Sequence, residues 1–272
     1  MRAPIDGGVA LVTGASSGIG EAIARQLAPR LSAIALVARR EERLEALADE
    51  LRASNADLTV SVQACDLTDR EATDAMLAAV KRQLGVVDIL VNNAGFGDMG
   101  MYDRTDWDKQ ERMIELNVTT LCYLTRRLVG PMVNKGHGGV LNISSGFGLS
   151  FLPAFATYVG TKHFVTGFTE SLRCDLGPVG VCVTQSCPGP VKTEFEANVG
   201  NVTGQGSPAW IEISAERCAR DSIRGFERGA AMVVPGTVMK IVMALNALSP
   251  RWVKRLLYAP FSAWLRKRQA KA

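Results

Sequence analysis

Short apolar runs alternate along this chain with longer stretches in which apolar residues recur every three or four positions. The runs are VALVT (9–13), AIALVAR (33–39), LTVSVQACD (58–66), VDILVNNAG (87–95), GVLNISS (139–145), VCVTQSCPG (181–189) and AMVVPG (231–236). Each is short enough for a buried strand. Helical spacing follows at Ile19, Ile23 and Leu27, then at Leu44, Leu47 and Leu51. Further helices are predicted over 69–85, from Thr105 or Asp106 to Leu128, from Phe151 to Leu176, and over 215–229. Thr68 and Ser214 stand where N-caps belong, Gly85 ends one helix, and Gly177 with Pro178 stops another. Strand and helix alternate throughout. This predicts an α/β fold, a doubly wound parallel sheet with helices on both faces, because parallel strands need crossovers. Residues 1–237 read as one domain, and 238–272 as a helical, basic C-terminal extension.

The chain has 272 residues, 47% apolar and 21% charged, as in an ordinary soluble protein with a full core. Its formal charge of +4 is unevenly placed. No Asp or Glu follows Glu227, while nine of the 31 basic residues do, which leaves a slightly acidic body and a basic tail. That balance does not suit a nucleic-acid binder. The six cysteines form no C-x-x-C pair and only two histidines accompany them, so neither a zinc site nor any other metal is expected. They read as small buried residues in a reducing compartment. The N-terminal residues lack an apolar segment with a cleavage site, and no apolar run reaches eighteen residues. The expected location is cytoplasmic, with association on the cytoplasmic face of a membrane left open by the tail.

VTGASSGIGEAI places Gly14, Gly18 and Gly20 between the first strand and the first helix. Such a turn lets main-chain N–H groups approach a pyrophosphate at the helix N-terminus. The spacing is G-x-x-x-G-x-G rather than G-x-G-x-x-G. At the end of the second strand stand Ala38, Arg39 and Arg40, where a carboxylate would favour NAD and arginine the 2′-phosphate of NADP. NADP(H) is therefore expected over NAD(H). The plainer alternative is a solvated arginine pair opening a helix, a position the helix dipole disfavours.

Tyr158 and Lys162 lie four apart in an apolar segment, FLPAFATYVGTKHFVTGF. On their own they suit either a snorkelling lysine or proton chemistry. TGASSGIG (13–20), NNAG (92–95), NISS (142–145) and YVGTK (158–162), in this order, resemble the short-chain dehydrogenase/reductase family, and PGPVKTEF (188–195) matches a further segment. The resemblance covers about the first 237 residues and implies a single Rossmann-type domain. It implies that Tyr158 is the general acid/base, that Lys162 holds the nicotinamide ribose and lowers the tyrosine pKa, that Ser145 bonds the substrate oxygen and that Asn117 holds a relay water. The implied cofactor set is Thr13, Gly14, Ser16, Ser17, Gly18, Ile19, Gly20, Arg39, Arg40, Asp66, Leu67, Asn93, Ala94, Gly95, Tyr158, Lys162, Pro188, Gly189, Val191 and Thr193. Within it Asp66 contacts adenine and Thr193 the carboxamide. Many NADP-preferring relatives carry a basic residue where this chain has Ser17, so a 2′-phosphate would rest mainly on Arg39, with Arg40 and a serine hydroxyl as further candidates.

The expected reaction is NADPH-dependent reduction of a ketone or aldehyde, reversible as oxidation of a secondary alcohol. Phe147, Leu149, Phe151, Leu152 and Phe155 read as an apolar pocket wall, hence a lipophilic substrate, and 195–213 as a lid. A homodimer or homotetramer is expected. A sugar-nucleotide epimerase is disfavoured by the glycine spacing, and a non-catalytic NADP sensor or membrane-docking protein by the intact Tyr158, Lys162, Ser145 and Asn117. In the tail, Val238, Ile241, Val242, Leu245 and Leu248 can form one face. Beyond Pro250, aromatic and basic residues interleave. A membrane surface, a partner subunit and a roof over the active site are all compatible with that pattern.

Overall fold

Strands β1 (Val9–Thr13), β2 (Ala33–Ala38), β3 (Thr59–Ala64), β4 (Ile89–Asn92), β5 (Gly138–Ile143) and β6 (Val181–Ser186) occupy the first six apolar runs in a computed structural model that describes residues 2–195, 199 and 208–269. Two-residue strands β7 (Val191–Lys192) and β8 (Ile213–Ser214) pair with each other outside the main sheet, and β9 (Met232–Val233) closes its far edge. The sheet order is β3-β2-β1-β4-β5-β6-β9, with every pairing parallel. The chain therefore runs outward in both directions from β1. The crevice beyond the C-terminal ends of β1 and β4 is the place where such sheets bind ligands.

Among the described residues the α-helices are α1 (Gly18–Leu27), α2 (Glu41–Ser54), α3 (Arg70–Leu84), α4 (Trp107–Ile114), α5 (Leu121–Lys135), α6 (Ala156–Leu176), α7 (Ala215–Glu227), α8 (Thr237–Leu248) and α9 (Arg251–Gln269). Strands buried on both faces feed two cores, which is why their sequences are continuously apolar. On one side Val12, Ile34 and Leu36 pack with Ile23, Leu27, Leu44, Leu47 and Phe226 of α1, α2 and α7. On the other, Leu11, Val37 and Val140 pack with Leu77, Val80, Leu124 and Leu176 of α3, α5 and α6. This is the doubly wound, single-domain α/β arrangement that the alternation predicts.

Several local expectations are corrected. The N-cap of α3 is Asp69, whose carboxylate accepts from Ala72 N at 3.0 Å; Thr68 instead donates to Asp66 Oδ1 at 2.8 Å. A carboxylate caps as well as a hydroxyl and adds a favourable charge at the dipole. The predicted helix to Leu128 continues to Lys135 past Pro131, and a π-helical segment, Glu115–Thr120, joins α4 to α5. Helix α6 begins at Ala156, five residues later than its apolar pattern. Gly177 keeps a right-handed conformation, and the left-handed glycine is Gly180 at φ +88°. The proposed lid falls largely on residues 196–198 and 200–207, outside the described residues.

The C-terminal extension folds back on the domain. Ser150 Oγ donates to Asn246 Oδ1 at 2.9 Å, and Asn246 Nδ2 to the Leu149 carbonyl at 3.2 Å. Phe151 meets Tyr258 edge to face at 5.6 Å, Leu265 is fully buried, and Arg266 forms a two-pronged ion pair with Asp103.

Candidate active site

Positive φ angles at Gly14 (+64°) and Gly18 (+60°) shape the turn after β1. A Cβ on Gly18 would lie 2.9 Å from Thr193 Cγ2, so the turn and the segment after β6 face each other with room for no side chain. Ser17 occupies the N-cap of α1, yet its side chain makes no capping bond. Its Oγ accepts from Arg40 Nη2 at 2.7 Å instead. The first-turn N–H groups of α1 thus lack a capping side chain, and the glycines remove Cβ atoms around them. These features fit a bound pyrophosphate. Ser16 is buried and also holds Arg40, Ile19 is half-buried against the core, and Gly20 packs beneath the turn.

Thr13 is a structural pin. Its hydroxyl donates to the Val91 carbonyl at 3.1 Å and accepts from Asn93 N and Ala94 N, both at 2.9 Å. Asn93 Nδ2 returns a bond to Thr13 O at 2.9 Å. These bonds set NNAG beside the glycine turn. At the other end of the cleft, Thr68 donates twice to Asp66. Against a burial penalty, those bonds and the charge of Arg39 hold the Asp66 carboxyl below its usual range. Leu67 is buried and accepts from Thr120 Oγ1 at 2.8 Å.

The two arginines are not equivalent. Arg40 bonds Ser16, Ser17 and, at 2.7 Å, Glu194, which also meets Arg43 at 2.5 Å. Arg39 is exposed and makes no hydrogen bond or salt bridge with any described residue. Pro188 O accepts from Gly146 N at 2.7 Å, Val191 is buried, and Thr193 Oγ1 donates to Val191 O at 3.3 Å. These contacts hold Pro188, Gly189, Val191 and Thr193 between the glycine turn and the loop after β5.

That loop carries two serines with different tasks. Ser144 is buried and donates to the Lys162 carbonyl at 3.2 Å. Ser145 is half-exposed, accepts from Phe147 N at 3.1 Å and reaches the Tyr158 hydroxyl. Tyr158 sits in the first turn of α6 against the rings of Phe147, Phe155 and Phe195, with centroids 6.0, 6.3 and 5.7 Å away. Lys162, one turn on, is buried. Its Nζ lies 5.7 Å from the Tyr158 ring centre and donates to the Ile143 carbonyl at 3.0 Å.

Burial dominates both titrations. It pushes the Tyr158 phenol up to about 12, with Ser145 pulling the other way, and draws Lys162 down to about 8. Burial thus opposes the lowering of the phenol that the resemblance implies from Lys162. A phenol in that state keeps its proton at neutral pH, as a proton donor must.

Asn117 occupies the π-helical segment, and its amide bonds through both nitrogen and oxygen. Nδ2 donates to Phe96 O at 2.9 Å and Thr161 Oγ1 at 3.2 Å, and Oδ1 accepts from Phe96 N at 3.1 Å. Gly95 is required beside it, since a Cβ there would stand 2.8 Å from Asn117 Oδ1.

The structure thus brings Ser145, Tyr158, Lys162 and Asn117 together with the glycine turn at one edge of the sheet. Sequence reasoning missed Phe195 as a ring against Tyr158, Thr161 as the partner of Asn117, and Met239. A Cβ on Gly189 would lie 2.5 Å from Met239 Cε, which places α8 against the cleft. Thr161 lies within YVGTK, three residues after Tyr158, so its helix face was readable; the other two depend on long-range packing.

A fold of this topology with a glycine turn and a tyrosine–lysine pair at the sheet's C-terminal edge defines a nucleotide-dependent class of enzyme. Comparison with known proteins gives the family. The model for short chain dehydrogenase matches residues 8–203, and the chain belongs to that family of oxidoreductases. It is 34% identical to dehydrogenase/reductase SDR family member 7 of Homo sapiens over 221 residues, 78% of this chain and 65% of that protein. Among solved structures, a short-chain dehydrogenase from Sphingobium yanoikuyae in complex with NADPH superposes with a TM-score of 0.77 at 29% identity, covering 89% of this chain and 93% of that one. A variant of actinorhodin polyketide ketoreductase with NADPH gives a TM-score of 0.75 at 30% identity, covering 86% and 97%.

Proposed function

We propose that this protein reduces a lipophilic ketone or aldehyde with NADPH, and reversibly oxidises the corresponding secondary alcohol. The observation that carries the reading is a buried Tyr158 within reach of Ser145, with the Nζ of a buried Lys162 5.7 Å from its ring centre. When bound, NADPH would supply the hydride. The chain's own groups handle position and the proton. Ser145 orients the carbonyl oxygen, Tyr158 donates to it as negative charge develops, and Lys162 stabilises the phenolate left behind. Asn117 would hold the water that returns a proton. The half-buried rings of Phe147, Phe151 and Phe155 support an apolar substrate. The test is NADPH consumption across ketones graded by chain length and ring number. Turnover should rise with apolar size, and no turnover with any carbonyl would overturn the reading.

For this chain the 2′-phosphate falls to Arg39, which makes no hydrogen bond or salt bridge with a described residue, while Ser16, Ser17 and Glu194 occupy Arg40. Arg39→Asp should reverse the preference toward NAD, as read by the ratio of kcat/KM for the two cofactors. An unchanged ratio would remove Arg39 from that role.

Lysine titration gives a pH signature. Its folded pKa is lowered to about 8, so the ammonium is present below that value and lost as pH rises through it. Reduction kcat/KM should therefore be level near pH 7 and fall between pH 7 and 9. A profile still level at pH 9 would contradict the need for the charged lysine.

We place the homodimer or homotetramer contact on the outer face of α6, where Phe164 and Phe168 stack beside Gly160 and Gly167.

A further inference from the structure

The outer faces of α8 and α9 are apolar, open and cationic at once. On α8, Val238, Ile241, Leu245 and Leu248 follow the helical repeat and are all exposed, Leu248 at 80%. On α9, Trp252, Leu256 and Leu257 are 63, 66 and 67% exposed. A monomeric protein has little reason to leave this much apolar surface in water. These helices are not loose, since Asn246, Tyr258, Leu265 and Arg266 fix their inner sides to the domain.

Charge selects the occupant. Lys240, Arg251, Arg255, Lys267 and Arg268 are exposed on the same two helices, and none forms a salt bridge with a described residue. No carboxylate side chain follows Glu227. Two copies of this face would meet with like charges opposed, which disfavours a second chain as its cover. An anionic surface complements it, and Trp252 and Trp264 suit the headgroup level of a bilayer. No helix among the described residues is long and apolar enough to cross a membrane. We propose that α8 and α9 dock this protein on the surface of an anionic membrane, lying on it rather than through it.

Docking would also orient the catalytic helix. A groove of about 390 Å³ opens between α9 and the first turns of α6, lined by Phe151, Pro153, Val159, Arg255 and Tyr258. It runs beside the helix that carries Tyr158. Delivery of a lipophilic carbonyl from the bilayer rests on the reductase reading; the docking does not.

The test is co-sedimentation of the full chain with vesicles of phosphatidylcholine alone and of phosphatidylcholine mixed with phosphatidylglycerol. The protein should pellet with the mixed vesicles only, and high salt should release it. Each basic residue near an anionic surface strengthens binding roughly fivefold, so Arg251→Gln with Lys267→Gln should weaken it about 25-fold. Leu256→Glu with Leu257→Glu should abolish it while the melting temperature and ketone reduction in solution stay as in the wild type. Equal partitioning to both vesicle types would overturn the proposal. So would absent vesicle binding together with an oligomer, seen by light scattering, that the leucine variant splits; that result would make a second copy the true cover. Loss of ketone reduction with vesicle binding intact would count against the reaction and leave the docking standing.

Discussion

Tyr158→Phe should abolish most ketone reduction while NADPH still binds. The substitution removes one oxygen from a side chain already packed against Phe147, Phe155 and Phe195, so the ring and its contacts persist. What disappears is the proton that Tyr158, with its pKa pushed up to about 12, holds at neutral pH. General acid catalysis contributes about 10²- to 10⁴-fold, and kcat should fall by that order. Cofactor titration by fluorescence and a thermal melt provide the controls. A variant that binds NADPH, melts normally and turns over like the wild type would remove Tyr158 from the chemistry.

Gly20→Ala should lower both stability and cofactor affinity. An added Cβ would stand 2.4 Å from the Gly14 carbonyl oxygen and 2.4 Å from Asn93 Nδ2. Neither neighbour can yield cheaply. Gly14 is held at positive φ, and the Asn93 amide bonds Thr13 O and Gly14 O. Overpacking of this kind costs about 1–3 kcal/mol, a drop of several degrees in melting temperature. The relief must come from moving the glycine turn, the element shaped to receive a pyrophosphate. Gly130→Ala is the control, because a Cβ there meets nothing within 4 Å in the middle of α5. Melting curves and NADPH titrations that match for the two variants would contradict the cradle.

The alternation of buried strands and amphipathic helices was legible because period and burial coincide in a doubly wound sheet. The glycine turn and the tyrosine–lysine spacing were legible because both are local in sequence. Competition between neighbours was not. Thr68 and Asp69 are both able caps, and only the bond of Thr68 to Asp66 decides which one caps α3. The π segment at Asn117 carries no periodic mark; it is held by Phe96 and Thr161, distant in the chain. The burial that raises the Tyr158 pKa was hidden for a similar reason. Spacing reveals the lysine four residues on, but not the three rings that exclude water. The tail's composition announced an apolar, basic face, yet which side packs on the domain depends on partners such as Leu149 and Asp103.

Hydride transfer to a carbonyl carbon is the central claim, and isotopic labelling tests it most directly. The wild-type protein would be incubated with NADPH carrying deuterium at both positions of the reactive carbon of the nicotinamide and with a lipophilic ketone, and the product analysed by mass spectrometry. The account predicts a secondary alcohol with one deuterium on the carbinol carbon and one NADPH consumed per alcohol formed. NADPH that binds but is not consumed, or an alcohol without the label, would contradict it.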